Sequence, residues 1–319
     1  MPFPNSRPHM TEIPFPLTPL EKLPLIIDHD AIESAYLPYL LDGRAGARAW
    51  KSDYARRRRR ALTRMVKRLL GLKQRDKKAI QAEYHDAWVS GHGKYDLAAG
   101  PRKPAAWCWN DRKLALDGLA TARLRAPMLA AVIDRLAPKK VLEVGCGNGI
   151  NLLSLAGRFP DVELTGIDLT PAGIEAAKAI QTQAGLPPQL AEYIPLESAD
   201  PGAYKRIRFI QGSAAELPFA DGEFDLVFTV LAVEQMERIR DEALAEIARV
   251  SRGHVLMLEP FRDANRKGMR RLYALSRNYF RGSIQGLERF GLKPVWATDD
   301  FPQEAFLGSP LVLAQKVSA

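Results

Sequence analysis

The chain has 319 residues, 46% of them apolar, and carries a formal net charge of +9. That is enough apolar material to bury a sizeable core, and it excludes a disordered chain. The two cysteines, Cys108 and Cys146, show no paired spacing, which excludes a disulfide framework and argues for no metal site.

Seven prolines fall within residues 1–25, too many for a regular helix or a central strand, so this stretch reads as an extended arm. No run of 18 apolar residues occurs, and the start lacks a basic segment followed by an apolar one. The expectation is a cytoplasmic protein with neither a membrane span nor a secretory signal.

The positive charge is concentrated. Residues 51–78 hold thirteen Lys and Arg against Asp53 and Asp76, which leaves the rest of the chain slightly acidic. From 53 to 70 the apolar residues Ala61, Leu62, Met65, Val66, Leu69 and Leu70 follow helical spacing, with arginines around the remainder. This predicts a basic amphipathic helix ending near Gly71. Its partner is an anionic membrane surface, a nucleic acid, or solvent alone; the split of apolar and basic faces suits an interfacial helix. A linker over 91–104 precedes a second helical pattern at 111–136, interrupted around Pro127, and the main domain is expected to start near Trp107.

Beyond it, short apolar runs alternate with helical patterns, as a parallel sheet with crossover helices requires. Strands are predicted at 140–144, 163–168, 207–211, 224–229 and 254–259, with helices at 148–158, 171–184 and 241–250. The segment 185–205 reads as an insertion or loop. A basic helical stretch at 262–281 leads to two more strands, at 292–297 and 310–316.

The segment Val141 to Asn151, VLEVGCGNGIN, is a buried strand entering a glycine-rich turn and a helix. Glycines there permit positive φ and let a ligand lie against the backbone. Asp168 ends the next strand, where its carboxylate can accept from ribose hydroxyls. A nicotinamide cofactor would call for G-x-G-x-x-G, with the third glycine packing a helix below a pyrophosphate. Here Ile150 takes that place and the third glycine comes early, at Gly149. The spacing suits a nucleoside cofactor without phosphate.

These segments, with Gly166-Ile-Asp-Leu-Thr-Pro171, Gln211 to Phe219 and Phe224 to Val230, resemble the class I S-adenosylmethionine (SAM)-dependent methyltransferases, in particular the small-molecule and lipid group. The resemblance spans roughly 107–319. It implies a doubly wound, Rossmann-like α/β fold: a mostly parallel seven-stranded sheet with a terminal antiparallel hairpin, residues 106–319, preceded by a mainly helical N-terminal extension, residues 1–105, acting as a lid. It implies SAM as cofactor, held by Glu143, Gly145, Cys146, Gly147, Asn148, Gly149, Asp168, Leu169, Ser213, Ala214 and Val230. Ser213 stands where relatives usually carry Asp, and Val233-Glu234-Gln235-Met236 lacks the histidine that relatives often show there.

Methyl transfer mainly requires alignment of the acceptor and exclusion of water. Candidate catalytic residues are Glu234 and Gln235, just beyond the fourth strand, and Tyr84 and His85 in the aromatic segment that continues to Trp88 and Tyr95. Trp107 and Trp109 read as packing residues and His254 as structural. Arg123 or Arg125 is a candidate for the cofactor carboxylate. The expected acceptor is the O or N of a small or lipid-like molecule, with the enzyme cytoplasmic or peripheral at a membrane. Alternatives are an RNA methyltransferase using the basic helix, and a non-catalytic SAM-binding scaffold. The chain lacks both the Asn/Asp-Pro-Pro-aromatic tetrapeptide after the fourth strand and a Pro-Cys pair, which speaks against a nucleic-acid acceptor. The sequence does not define an oligomeric state.

Overall fold

A computed structural model describes residues 27–70, 103–277 and 279–317. The proline-rich arm and the segment holding Tyr84, His85, Trp88 and Tyr95 lie outside the described residues. In chain order come α1 (His29–Tyr36), β1 (Leu40–Leu41), α2 (Gly43–Leu69), β2 (Ala105–Trp109), β3 (Arg112–Leu116), α3 (Ala120–Arg123), α4 (Ala126–Leu136), β4 (Lys140–Val144) and α5 (Ile150–Ala156). There follow β5 (Glu163–Asp168), α6 (Pro171–Gln181), α7 (Pro188–Tyr193), β6 (Arg208–Gln211), β7 (Phe224–Val230), α8 (Arg240–Val250), β8 (Ser251–Leu258), α9 (Gly268–Arg277), β9 (Leu292–Thr298), β10 (Gln303–Glu304) and β11 (Leu311–Lys316).

Seven strands form one sheet in the order β6-β5-β4-β7-β8-β11-β9. The first five are parallel, and β11 runs antiparallel to both β8 and β9. This is the doubly wound sheet with a terminal antiparallel hairpin that the sequence leads one to expect. The strand order reverses direction at β4, which sets a crevice at the carboxyl ends of β4, β5 and β7. Because both faces are covered, strand residues are apolar on both sides. In β4, Val141 packs into one core cluster, while Leu142 and Val144 pack into the other.

Two local expectations are corrected. The helix predicted at 111–136 begins instead as a strand: β2 and β3 form an antiparallel hairpin with Trp109 opposite Arg112. Its two-residue loop is Asn110-Asp111, both at positive φ, +46° and +62°, the geometry of a tight hairpin turn that asparagine and aspartate tolerate. The interruption around Pro127 is present: α3 and α4 are separated at residues 124–125, and Pro127 sits in the first turn of α4, where its missing N–H costs nothing. The basic helix, in turn, starts ten residues earlier than the periodicity places it, at Gly43.

A second, smaller sheet has the order β1-β3-β2-β10 and joins the N-terminal segment, the hairpin and a late strand. Helix α2 lies against it: Trp50 Nε1 donates to the Trp107 carbonyl at 2.9 Å, and buried Asp53 accepts from the Ala106 N–H at 2.9 Å. Trp109 is buried and donates to Asp300 at 3.0 Å, so both tryptophans are packing residues. The 185–205 segment folds into α7 and a short turn. Tyr193 donates to the Leu119 carbonyl and accepts from the Arg123 N–H, which binds α7 to α3.

Candidate active site

The turn after β4 is set by backbone bonds to β5. The N–H groups of Gly145 and Cys146 both donate to the Ile167 carbonyl, at 2.8 and 3.1 Å. Gly147 N–H donates to Asp168 Oδ2 at 2.9 Å. Gly145, Gly147 and Gly149 all have positive φ, between +54° and +79°, a region L side chains rarely adopt. At two of them space is also closed. A Cβ on Gly145 would lie 2.3 Å from the Ala232 side chain, and one on Gly149 would lie 2.6 Å from the Phe209 ring. The turn is thus pressed between the loop after β7 and the start of β6.

Asp168 sits at the carboxyl end of β5. Its Oδ1 accepts from the Thr170 N–H and hydroxyl, at 2.8 and 2.5 Å, and Oδ2, among the described residues, from Gly147 alone. A carboxylate offers about four lone-pair sites, so Oδ2 retains capacity toward a hydroxyl. Leu169 beside it is exposed. Asn148 accepts from the Ile150 N–H at the start of α5. Cys146 is buried, and burial together with the nearby Glu143 and Asp168 carboxyls pushes its thiol well up, so it is a packing group and not a nucleophile.

Glu143, in the middle of the buried sheet, is the least comfortable charge here. Oε1 accepts from Asn151 Nδ2 at 2.6 Å, whereas Oε2 has no hydrogen-bond partner among the described residues. Burial pushes its carboxyl up to about 8, against the pull of Asn151 and Arg125. Arg125, at the start of α4, is itself buried, and among the described residues its guanidinium makes no hydrogen bond or ion pair. Arg123 is spent differently. It donates to the carbonyls of Ala35, Glu192 and Tyr193, and so staples α1, α3 and α7 together.

On the β6 side, Ser213 Oγ accepts from the Ala215 N–H at 3.2 Å, and Ala214 is buried beside it. Gly212 N–H donates to the Asp168 carbonyl, tying this loop to β5. Val230 ends β7 and is half-buried. In the loop that follows, Glu234 is buried and accepts from Gln235 Nε2 at 2.7 Å, so the two candidate catalytic side chains bond to each other. Their turn is held by a residue that the sequence reading passed over. Glu259, fully buried just after β8, accepts the N–H groups of Ala232, Val233 and Glu234 at 2.9, 3.1 and 3.0 Å. An acid directly after an apolar strand and before Pro260 was the available signal. Burial, then the charge of Glu234, pushes its carboxyl up to about 8. His254 stands on β8 at the other edge of the sheet, half-buried, with burial alone lowering its pKa.

The crevice therefore gathers Glu143, Arg125, the three glycines, Asp168 and the Ala232–Gln235 turn, while Arg123 is bound between helices and His254 stands away from it on β8. Comparison with known proteins agrees in extent with this core. A family described as "Methyltransferase domain" matches residues 142–257. Over 114 residues the chain is 36% identical to a fatty-acid O-methyltransferase of Mycolicibacterium smegmatis, covering 36% of this chain and 34% of that one. Over 164 residues it is 32% identical to the ubiquinone/menaquinone biosynthesis C-methyltransferase UbiE of Dinoroseobacter shibae, covering 50% of this chain and 58% of that one. The chain thus spans between about a third and three fifths of these relatives. In fold it is similar to the [4+2]-cyclase SpnF, with a TM-score of 0.50 at 17% identity, over 73% of this chain and 94% of that one. Strand order, glycine turn and family match agree, and they identify residues 142–257 as a domain of the class I SAM-dependent methyltransferase type, whose cofactor is S-adenosylmethionine.

Proposed function

We propose that the chain transfers a methyl group from SAM to the O or N of a small or lipid-like acceptor. The observation that carries this reading is a buried acid and a buried cation beside the glycine turn. Among the described residues Glu143 Oε2 is buried without a hydrogen-bond partner, and Arg125 is a buried cation whose charge acts on Glu143. Such groups cost stability unless a ligand meets them. A zwitterionic amino-acid moiety is what one acid and one cation in a single crevice would receive. Asp168 and the Ser213–Ala214 loop then flank the nucleoside.

When bound, SAM supplies a methyl group on a positively charged sulfur that reacts by in-line displacement. The protein's part is to align the acceptor and to keep water out. The turn that Glu259 holds closes over Gly145, where a Cβ would lie 2.3 Å from the Ala232 side chain, and would form a wall of the cofactor pocket. Glu234 and Gln235 belong to that wall and orient the acceptor. Residues 1–105 form the substrate-selective extension over residues 106–319. Its described part reaches the crevice region through α1, whose Ala35 carbonyl is bound to Arg123 two residues before Arg125.

The lipid-like acceptor is supported by relatives named for fatty acids and quinones. Incubating the full chain with SAM labelled in the methyl group and a panel of fatty acids, phenols, amines and quinols tests this. Label recovered as a methyl ester, ether or amine supports the proposal. Label on carbon would place the chain with its quinone relative, and label only in added RNA would overturn the small-acceptor reading.

A further inference from the structure

Helix α2 presents a surface that methyl transfer does not use. Its inner face is fixed at several points. Buried Asp53 pairs with Arg56 and, at 3.0 Å, with Arg57, and Arg57 reaches Glu304 at 2.8 Å. Arg68 donates to the Leu275 carbonyl at 2.9 Å. Ala61 is fully buried in a cluster with Tyr273 and Phe306.

At 3.6 residues per turn, this anchoring turns Leu62, Val66 and Leu69 away from the body. They are 45%, 54% and 81% exposed, and Leu70 at the helix end is 69% exposed. Arg58, Arg59, Arg60 and Lys67 are exposed around them. Arg59, Arg60, Thr63, Arg64 and Lys67 also line a shallow groove of about 230 Å³. A helix docked on a protein core normally spends its apolar residues inward; this one carries a second aliphatic stripe outward, bordered by cations.

We propose that the outward face of α2 docks on an anionic lipid surface. Leu62, Val66, Leu69 and Leu70 enter the acyl boundary, and Arg58, Arg59, Arg60 and Lys67 meet lipid phosphates. The exposed apolar groups are aliphatic, which suits acyl chains. The helix's own aromatic residues are turned inward: Trp50 stacks on Tyr54 at 4.9 Å, and Tyr54 packs at a tilt against Phe306 at 4.4 Å. They are unavailable for the base stacking that single-stranded nucleic acid binding uses. Two copies meeting through this face would oppose like charges, which disfavours self-association.

The inference stands apart from the methyl-transfer reading, and its readout does not involve SAM. The test is co-sedimentation of the full chain with phosphatidylcholine vesicles, with and without phosphatidylglycerol. Partitioning should require the anionic lipid and fall as salt rises. The triple variant Leu62→Ser/Val66→Ser/Leu69→Ser and the double variant Arg59→Gln/Lys67→Gln should each weaken it on the order of tenfold, with melting temperature and SAM affinity unchanged. A wild-type chain that stays in the supernatant with anionic vesicles would overturn the proposal, as would a triple variant that partitions like wild type. It would also fail if a duplex or single-stranded RNA oligonucleotide displaced the vesicles and the triple variant bound that RNA undiminished. A concentration-dependent dimer that the triple variant abolishes, without vesicle binding, would assign the face to a second copy instead.

Discussion

The N–H of Gly147 donates to Oδ2 of Asp168 at 2.9 Å, so the glycine turn and the acidic end of the neighbouring strand are held as one piece. Asp168 therefore both shapes the turn and offers acceptor capacity to a ribose. Asp168→Ala is expected to weaken SAM binding by about 1 to 3 kcal/mol, the cost of leaving hydrogen-bonding groups unpaired. Asp168→Asn, which keeps one acceptor oxygen, should lose less. Calorimetric titration of both variants checks this, and unchanged affinity in the alanine variant would remove the ribose assignment.

Arg125 is assigned to the carboxylate of the cofactor, and the prediction separates that role from packing. Arg125→Met, similar in bulk, should weaken SAM binding by about 1.5 to 3 kcal/mol, the range for a hydrogen bond to a charged group. Binding of methylthioadenosine, which lacks the amino-acid moiety, should be nearly unchanged. Equal losses for the two ligands would mean that Arg125 supports the crevice without touching the cofactor.

Glu143 gives a pH dependence whose sign can be worked out. Its carboxyl lies at about 8 in the folded chain against an ordinary 4.5. Between those values the folded state holds a proton that the unfolded state has lost. Stability is present below the unfolded value and falls as pH rises toward the folded one. Glu259, shifted the same way, adds to the fall, whereas half-buried His254 acts oppositely, losing stability as pH drops below its ordinary value of 6.5. Glu143→Gln isolates one term: its melting temperature should gain on that of wild type between about pH 5 and pH 8. A gap that stays constant across this range would contradict the buried, protonated Glu143.

Gly145→Ala combines a φ of +79° with a 2.3 Å approach to Ala232. Strain and overpacking at one position are worth on the order of 1 to 3 kcal/mol each. Denaturant unfolding should show a loss in that range, with weaker SAM binding, because the Ala232–Gln235 turn must give way. An alanine variant of wild-type stability would mean that the turn is not pressed on the glycine.

How far the sequence discloses this structure depends on the element. Strands β4, β5, β7, β8 and β11 are short apolar runs bounded by glycine, proline or charge, and burial on both faces makes such runs conspicuous. The hairpin of β2 and β3 was concealed because Lys113-Leu114-Ala115-Leu116 also fits the start of a helix. Asn110-Asp111, at the positive φ values of a tight turn, was the signal that settles it. The first ten residues of α2 were masked by Gly43 and Gly46. Gly46 is required there because a Cβ would fall 2.0 Å from the Leu41 carbonyl oxygen, a contact no helical periodicity discloses. In the site, the glycines and Asp168 were legible because local backbone geometry dictates them. Glu259 was not, because its role depends on N–H groups more than 20 residues away in sequence.

The account rests on SAM occupying the crevice between Glu143, Arg125 and Asp168. Calorimetric titration of SAM into the full chain tests that most directly. The prediction is saturable binding at one site per chain, competed by S-adenosylhomocysteine and weakened in Asp168→Ala. A folded chain that shows no saturable binding of either molecule would contradict it.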